Sequence, residues 1–188
     1  MHRSAALVVV LLATTASAGP RGERAMQLEV GINTRHYAAA SHDADVAFRG
    51  DMSVPEDPSL EAGNALTTSL RFTGKARWNT FLGIEAEAGK LLGVEHSNLA
   101  GAYAVSGMRH DVGPLRIAAE LVAGRRWVRY EVLHKSDAAT WIAEPRVRGD
   151  LWLAPQLTVG GAVGATIGDR SVWMAGVYIG LHSFDFDR

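Results

Sequence analysis

The segment from Gln156 to Phe186 restricts this chain most, because it reads as a single hairpin written with period two. On its first arm, Leu157, Val159, Gly161, Val163, Ala165 and Ile167 fall on one face. Gln156, Thr158, Gly160, Ala162, Gly164 and Thr166 fall on the other. The four residues Gly168-Asp169-Arg170-Ser171 make a turn, after which Trp173, Ala175, Val177, Ile179 and Leu181 share a face. A strand sends successive side chains to opposite faces. Each arm is therefore greasy on one side and small or polar on the other. About nine to eleven tilted residues cross the hydrocarbon of a bilayer as a strand, and this alternation marks a membrane-spanning barrel.

The beginning of the chain agrees with an envelope destination. Met1-His2-Arg3 is a short basic start, Ala5 to Ala13 is apolar, and Ala16-Ser17-Ala18 has the A-x-A form of a cleavage site. The expectation is a signal peptide over 1–18 and one mature domain over 19–188. The apolar run is too short to span a bilayer as a helix, and no later stretch is long enough either. Although 47% of residues are hydrophobic, the mature chain spreads them in alternation. Cysteine is absent, which excludes disulfides and thiolate metal sites. A net charge of −1 argues against a nucleic-acid partner, which needs a basic surface.

Six more alternating segments precede the hairpin: Met26–His36, Asn64–Thr73, Thr80–Leu91, Leu99–Arg109, Leu115–Val128 and Thr140–Leu153. The fourth is small and apolar on both faces and has no readable orientation. Pro145 lies within the sixth and cannot donate to a ladder, so a bulge or local break is expected there. Eight strands with short turns near Lys75, Val112 and Pro155 predict an all-β fold. Its form is a single eight-stranded antiparallel up-and-down transmembrane β-barrel. Counted from a periplasmic N-terminus, the outward connections are 37–63, 93–98, 129–139 and 168–171. The first is long and acid-rich, and it is the candidate surface for an extracellular ligand.

Charges at the polar positions balance. The acids are Glu29, Glu85, Glu87, Glu120, Glu144 and Asp150; the bases are Arg35, Arg71, Arg116, Arg126, Arg146 and Arg148. On apolar parity the charges are Lys90 and Arg125, both at predicted outer ends. A membrane barrel turns the charged set inward, and a soluble ligand-binding barrel of the periplasm turns it outward. The aromatics favour the membrane. Trp127, Tyr130, Trp141 and Trp173 fall near outer ends, and Trp78, Trp152, Phe184 and Phe186 near inner ends, as in interfacial girdles. Trp152 has the parity of the interior.

On this strand pattern residues 26–186 resemble the small eight-stranded outer-membrane barrels of the OmpA/OmpX type. The resemblance implies the outer membrane of a Gram-negative bacterium as location. Gly176, Ile179 and Leu181 are spaced as in the C-terminal signal of that family, which implies recognition by the barrel assembly machinery. Met174 stands where the signal has a polar residue, and Asp187-Arg188 follow where an aromatic would end the chain.

An interior this narrow is filled by side chains, and unpaired buried charge is prohibitive. The twelve charges therefore predict a plugged, paired core in preference to a porin-like gated pore. Glu95-His96-Ser97-Asn98 resembles the His-x-Ser-Asn signature of lipid A deacylases, which would make the chain a lipid-modifying enzyme. Here His96 and Ser97 are adjacent, so on a strand they point apart, and no catalysis is expected. His36, His42, Asp43 and Asp45 match no ligand spacing, and neither metal nor cofactor is expected. The function expected is an integral outer-membrane barrel, structural or acting through its loops. At its rim Lys90, Arg125 and Arg129 are placed to meet lipopolysaccharide phosphate.

Overall fold

The computed structural model describes residues 26–37, 63–76, 78–93, 97–130, 137–167 and 172–183. The predicted signal segment, most of 37–63, Phe184 and Phe186 lie outside the described residues. Eight strands follow one another: β1 (Met26–Tyr37), β2 (Gly63–Lys75), β3 (Thr80–Leu92), β4 (Ser97–Val112), β5 (Leu115–Tyr130), β6 (Asp137–Ala154), β7 (Leu157–Thr166) and β8 (Val172–His182). Each pairs antiparallel with the next, and β8 returns to β1, so the sheet closes without an edge. Closure satisfies every ladder internally, which hydrocarbon requires.

The burial pattern is that of a soluble protein turned inside out. Leu28, Val30 and Ile32 on β1, Leu70 and Phe72 on β2, Ile84 on β3 and Val177, Ile179 and Leu181 on β8 are all exposed. Between them, Gln27, Glu29, Asn33, Arg35, Thr67, Ser69, Arg71 and Thr73 are buried. Such an apolar surface would be intolerable in water, so it is the lipid face of a transmembrane barrel. The few hydroxyls on it are not idle. Thr34 Oγ1 donates to Ala175 O and Thr68 Oγ1 to Ala88 O, each at 3.3 Å, which limits the cost of a hydroxyl in apolar surroundings.

The structure orients β4. Ser97, Leu99, Gly101, Tyr103 and Val105 point into the lumen, and Asn98, Ala100, Ala102 and Ala104 point out. Polarity could not orient this strand because its inner face meets an apolar cluster: Phe81, Tyr103, Val105, Ala118, Val122 and Ile142. The lumen is thus charged where β1, β2 and β6 look inward, and part of it is an ordinary hydrophobic core.

Pro145 behaves as its chemistry demands, on one side only. Its register with Leu121 of β5 is unbroken, whereas the ladder to β7 stops at Arg146–Gly164. A single bridge, Ala143–Ile167, closed by Ile167 N donating to Ala143 O at 2.7 Å, continues beyond it. Residue 145 shares the parity of 143, so its missing N–H is the one that would have faced β7. The register shift in this hairpin lies elsewhere, between Trp152 and Ala154.

Three short turns sit at the end where β1 begins. Gly113 in the β4–β5 turn has φ +59°, a left-handed conformation that glycine adopts without steric cost. Trp78, in the β2–β3 turn, has φ +57° with a side chain to clash, and it is 74% exposed.

Candidate functional site: the barrel lumen and its rim

All twelve charged residues singled out at polar parity lie in the lumen, each at most 6% exposed. They divide into two groups. On the loop side, Arg35 grips Glu87 with two bonds, Nε to Oε1 at 2.7 Å and Nη2 to Oε2 at 2.6 Å. Its Nη1 donates to Glu144 Oε2 at 2.6 Å. Arg146 grips Glu85 in the same two-pronged way, at 2.8 and 3.0 Å, and its Nε donates to Glu144 Oε1 at 2.8 Å. Arg126 Nη2 reaches Glu144 Oε2 at 3.3 Å while its Nε donates to the Tyr103 hydroxyl at 3.0 Å. Thr166 donates a further bond to Glu144 Oε2 at 2.8 Å. Three arginines thus face three glutamates, with Glu144 at the centre.

The turn-side group is built from β1, β2, β5 and β6. Arg71 holds Glu120 through two 2.8 Å bonds, and its Nε lies 3.3 Å from Glu29. Arg148 donates through both Nη atoms to Glu29 and through Nε to Asp150 at 2.7 Å. Arg116, by contrast, finds its partner outside the predicted set. It makes paired bonds of 2.7 and 3.0 Å to Asp111, at the end of β4, and lies 4.6 Å from the Trp152 ring. Arg109, likewise outside that set, donates to Gln27 Oε1 at 3.3 Å. With Asp111 and Arg109 counted, four arginines face four acids here. Two-pronged arginine–carboxylate pairs are the strongest arrangement for buried charge, since each oxygen receives a donor.

Sequence reasoning missed more than these two residues. Tyr178 donates to Asn33 Oδ1 at 2.5 Å, Asn33 Nδ2 donates to Ser69 at 3.1 Å, and the Tyr178 ring carries Arg148 at 4.7 Å. At the turn end Trp152 and His182 are buried with ring centroids 4.4 Å apart, and His182 Nε2 is 2.9 Å from Thr158 Oγ1. The available signal was parity, which the sequence had already given for Trp152: each of these side chains alternates with lipid-facing residues. Between Gln27, Glu29, Arg71, Arg109, Arg116 and Asp150 the remaining void is about 10 Å³, near the size of one water.

The small residues of β7 make space for this lattice. A side chain at Gly160 would begin 1.8 Å from Asp150 Oδ1, and one at Gly164 would begin 2.7 Å from Arg146 Cγ. Gly160 therefore clears an acid and Gly164 an arginine. Both neighbours sit on β6, paired directly with β7.

The rim residues are less closely grouped than their parity suggests. Lys90 and Arg125 are exposed on the outer face. The register pairs Arg129 with Asn98, and Asn98 follows the Lys90 side of β3 by one step from the Gly89–Leu99 pair. Arg125 lies four residues lower, opposite Ala102 on β4 and Trp141 on β6. Its guanidinium is 5.9 Å from the Trp127 ring. Of the expected girdle aromatics, Trp127, Trp141 and Trp173 are exposed on the lipid face near the loop end and Trp78 at the turn end. Trp152 is inside the barrel, 0% exposed.

The His-x-Ser-Asn-like stretch places Ser97 in the lumen, where its Oγ accepts from Leu91 N at 3.1 Å and lies 3.3 Å from Leu91 O. His96 and Glu95 lie outside the described residues, as do His42, Asp43 and Asp45. His36 stacks against Trp173 at 5.4 Å and bonds Asn64 at 2.9 Å.

Three solved structures share this architecture. Neisserial surface protein A (NspA) aligns over 84% of this chain and 97% of its own, with 9% identity and a TM-score of 0.60. Ail, the attachment invasion locus protein of Yersinia pestis, aligns over 86% and 99%, with 9% identity and a TM-score of 0.54. The N-terminal β-barrel domain of Pseudomonas aeruginosa OprF aligns over 87% and 100%, with 12% identity and a TM-score of 0.51. The fold is that of the small eight-stranded outer-membrane barrels. No protein-family model matches the sequence, and no curated protein is similar to it in sequence. At such low identities the likeness to the outer-membrane barrels is one of architecture, carried by parity and closure.

Proposed function

We propose that this chain is an integral protein of the Gram-negative outer membrane, closed to solutes, whose role is structural or exerted through its outward segments. The observation that carries the closed reading is the lumen itself. Arg35, Arg71, Arg146 and Arg148 each span it to acids on other strands, from β1 to β3 and β6, from β2 to β5, from β6 to β3, and from β6 to β1. A solute would have to break several two-pronged ion pairs at once, and each leaves a buried charge uncompensated. The outward role is supported by the topology, which brings the strand ends Tyr37, Gly63, Leu92, Ser97, Tyr130, Asp137, Thr166 and Val172 to one end of the barrel. Two of the structural neighbours are named as a surface protein and an attachment protein. Segment 37–63 is the proposed ligand-facing one, and the barrel assembly machinery is the proposed insertion partner. Catalysis forms no part of this reading.

Two measurements test it together. Envelope fractionation should place the protein in the outer-membrane fraction, resistant to alkaline extraction, with different gel mobility before and after heating. In planar bilayers the purified protein should give no steady conductance. Release by osmotic shock would overturn the location, and a reproducible open channel would overturn the closed lumen. Unchanged lipid A mass spectra with and without the protein are expected, and a shifted acylation pattern would restore the enzymatic alternative.

A further inference from the structure

Among the described side chains, Lys90 and Arg125 are cations on the lipid face, where hydrocarbon gives them no counterion. Lys90 on β3 and Arg125 on β5 are exposed on outward parity, and neither forms an ion pair with a described carboxylate. Arg35, Arg71, Arg116, Arg126, Arg146 and Arg148 in the lumen each pair with an acid, which sets these two apart. Two exposed indoles flank Arg125 on the sheet: Trp127 lies 5.9 Å from its guanidinium, and Trp141 is its pairing partner across the β5–β6 ladder. Indole at the membrane interface fixes depth, so Arg125 lies level with lipid headgroups.

The register sets the spacing. Arg125 is level with Ala102, and Lys90 with Asn98, four residues further along β4. At about 3.3 Å per residue and 4.8 Å per strand, their Cα atoms are about 16 Å apart. Two long side chains can lean across that span toward one large headgroup. The sequence adds Arg129 at the level of Asn98, on the strand beyond it. Between the two cations the outer surface is lined by Ala88, Ala100 and Ala102, and below them toward the turn end by Ala86, Ala104 and Ala123, small residues against which an acyl chain can lie.

We propose that Lys90 and Arg125 bind the two phosphates of one diphosphorylated glycolipid of the lipid A class, seated on the alanine surface of β3–β5. A phospholipid with one phosphate reaches only one of the two cations. Arginine and lysine both suit phosphate, arginine through its fork and lysine as a point charge. The proposal takes the loop end as the outer face, as argued for the function above.

The test uses the full chain, purified in a neutral detergent and titrated with diphosphoryl lipid A, monophosphoryl lipid A or phosphatidylglycerol. Binding is read from tryptophan emission and from the temperature at which the heat-modifiable gel band shifts. Diphosphoryl lipid A should bind the wild type on the order of tenfold more tightly than either of the others. Lys90→Gln and Arg125→Gln should each remove most of that preference, and the double variant should show none. Lys90→Arg and Arg125→Lys should keep it, which controls for folding. Equal binding of all three lipids by the wild type overturns the proposal, as does an undiminished preference in the double variant. Because the lipid is added in detergent, failure here is distinct from failure of the outer-membrane location, which fractionation alone decides.

Discussion

Glu144→Gln is the single substitution that asks most of the lumen. It removes one charge from the centre of the loop-side group and turns one acceptor oxygen into a donor. In the native barrel Oε2 receives Arg35 at 2.6 Å, Thr166 at 2.8 Å and Arg126 at 3.3 Å, and Oε1 receives Arg146 at 2.8 Å. After substitution three arginines would face two carboxylates, Glu85 and Glu87, in a space closed to water. Arg35 keeps Glu87, Arg146 keeps Glu85 and Arg126 keeps the Tyr103 hydroxyl, so the lattice is weakened and not abolished. Charge-assisted bonds contribute roughly 1.5–3 kcal/mol each but do not add, and breaking a buried pair costs about 3–5 kcal/mol in total. The assay is urea unfolding in lipid vesicles, followed by tryptophan emission and gel mobility, with the change read from the midpoint at constant slope. A second substitution, Arg126→Gln, restores the charge balance and should recover part of the loss. A Glu144→Gln cost within about 1 kcal/mol of that for the exposed Lys90→Gln would refute the reasoning, because lumen and lipid-face charges would then be equivalent.

The glycines supply a matched pair. Gly160→Val should destabilise the barrel by about 1–3 kcal/mol, because its Cβ would meet Asp150 Oδ1 at 1.8 Å and the Gly149 carbonyl at 2.6 Å. Gly149→Val, one strand away on the lipid face with nothing within 4 Å, should be neutral or stabilising by up to about 1 kcal/mol in the same urea titration. At the turn end, Trp78→Gly should relieve about 1–2 kcal/mol of left-handed strain in detergent micelles, seen as a higher unfolding midpoint. In bilayers the gain should shrink, because the exposed indole no longer anchors the turn at the interface.

Parity was legible in the sequence wherever the two faces differ in polarity. On β1, β2, β5 and β6 a charge or hydroxyl alternates with an aliphatic residue, and period two does the rest. On β4 it was not legible, because Tyr103 and Val105 face an apolar patch of lumen while Ala102 and Ala104 face lipid. Both surroundings accept the same small hydrophobic residues. The partners within the charge lattice were hidden for a different reason. Arg35–Glu87, Arg71–Glu120, Arg146–Glu85 and Arg148–Glu29 join non-neighbouring strands across the lumen, 52, 49, 61 and 119 residues apart. Choosing among them needs the stagger of the closed sheet, which alternation does not encode. Asp111 escaped because it sits beside a turn, where an acid reads as solvated, although the Arg116 guanidinium reaches down to it. The same stagger sets Lys90 level with Arg129 and four residues from the level of Arg125, a placement that parity does not give.

The central claim is that aliphatic side chains face lipid and charged ones face each other. Cysteine scanning reads it directly, since the chain has none of its own and every introduced thiol is unique. Single cysteines at Val30, Ile32, Leu70, Val177 and Ile179, which point outward, are compared with Thr67, Ser69 and Met174, which point inward. In vesicles a lipid-soluble maleimide should label the outward set slowly, because a thiol in hydrocarbon stays protonated, and the inward set only after unfolding, while a membrane-impermeant maleimide should label neither. Labelling of the outward set by the impermeant reagent, or equal labelling of the two sets by the lipid-soluble one, would contradict the claim.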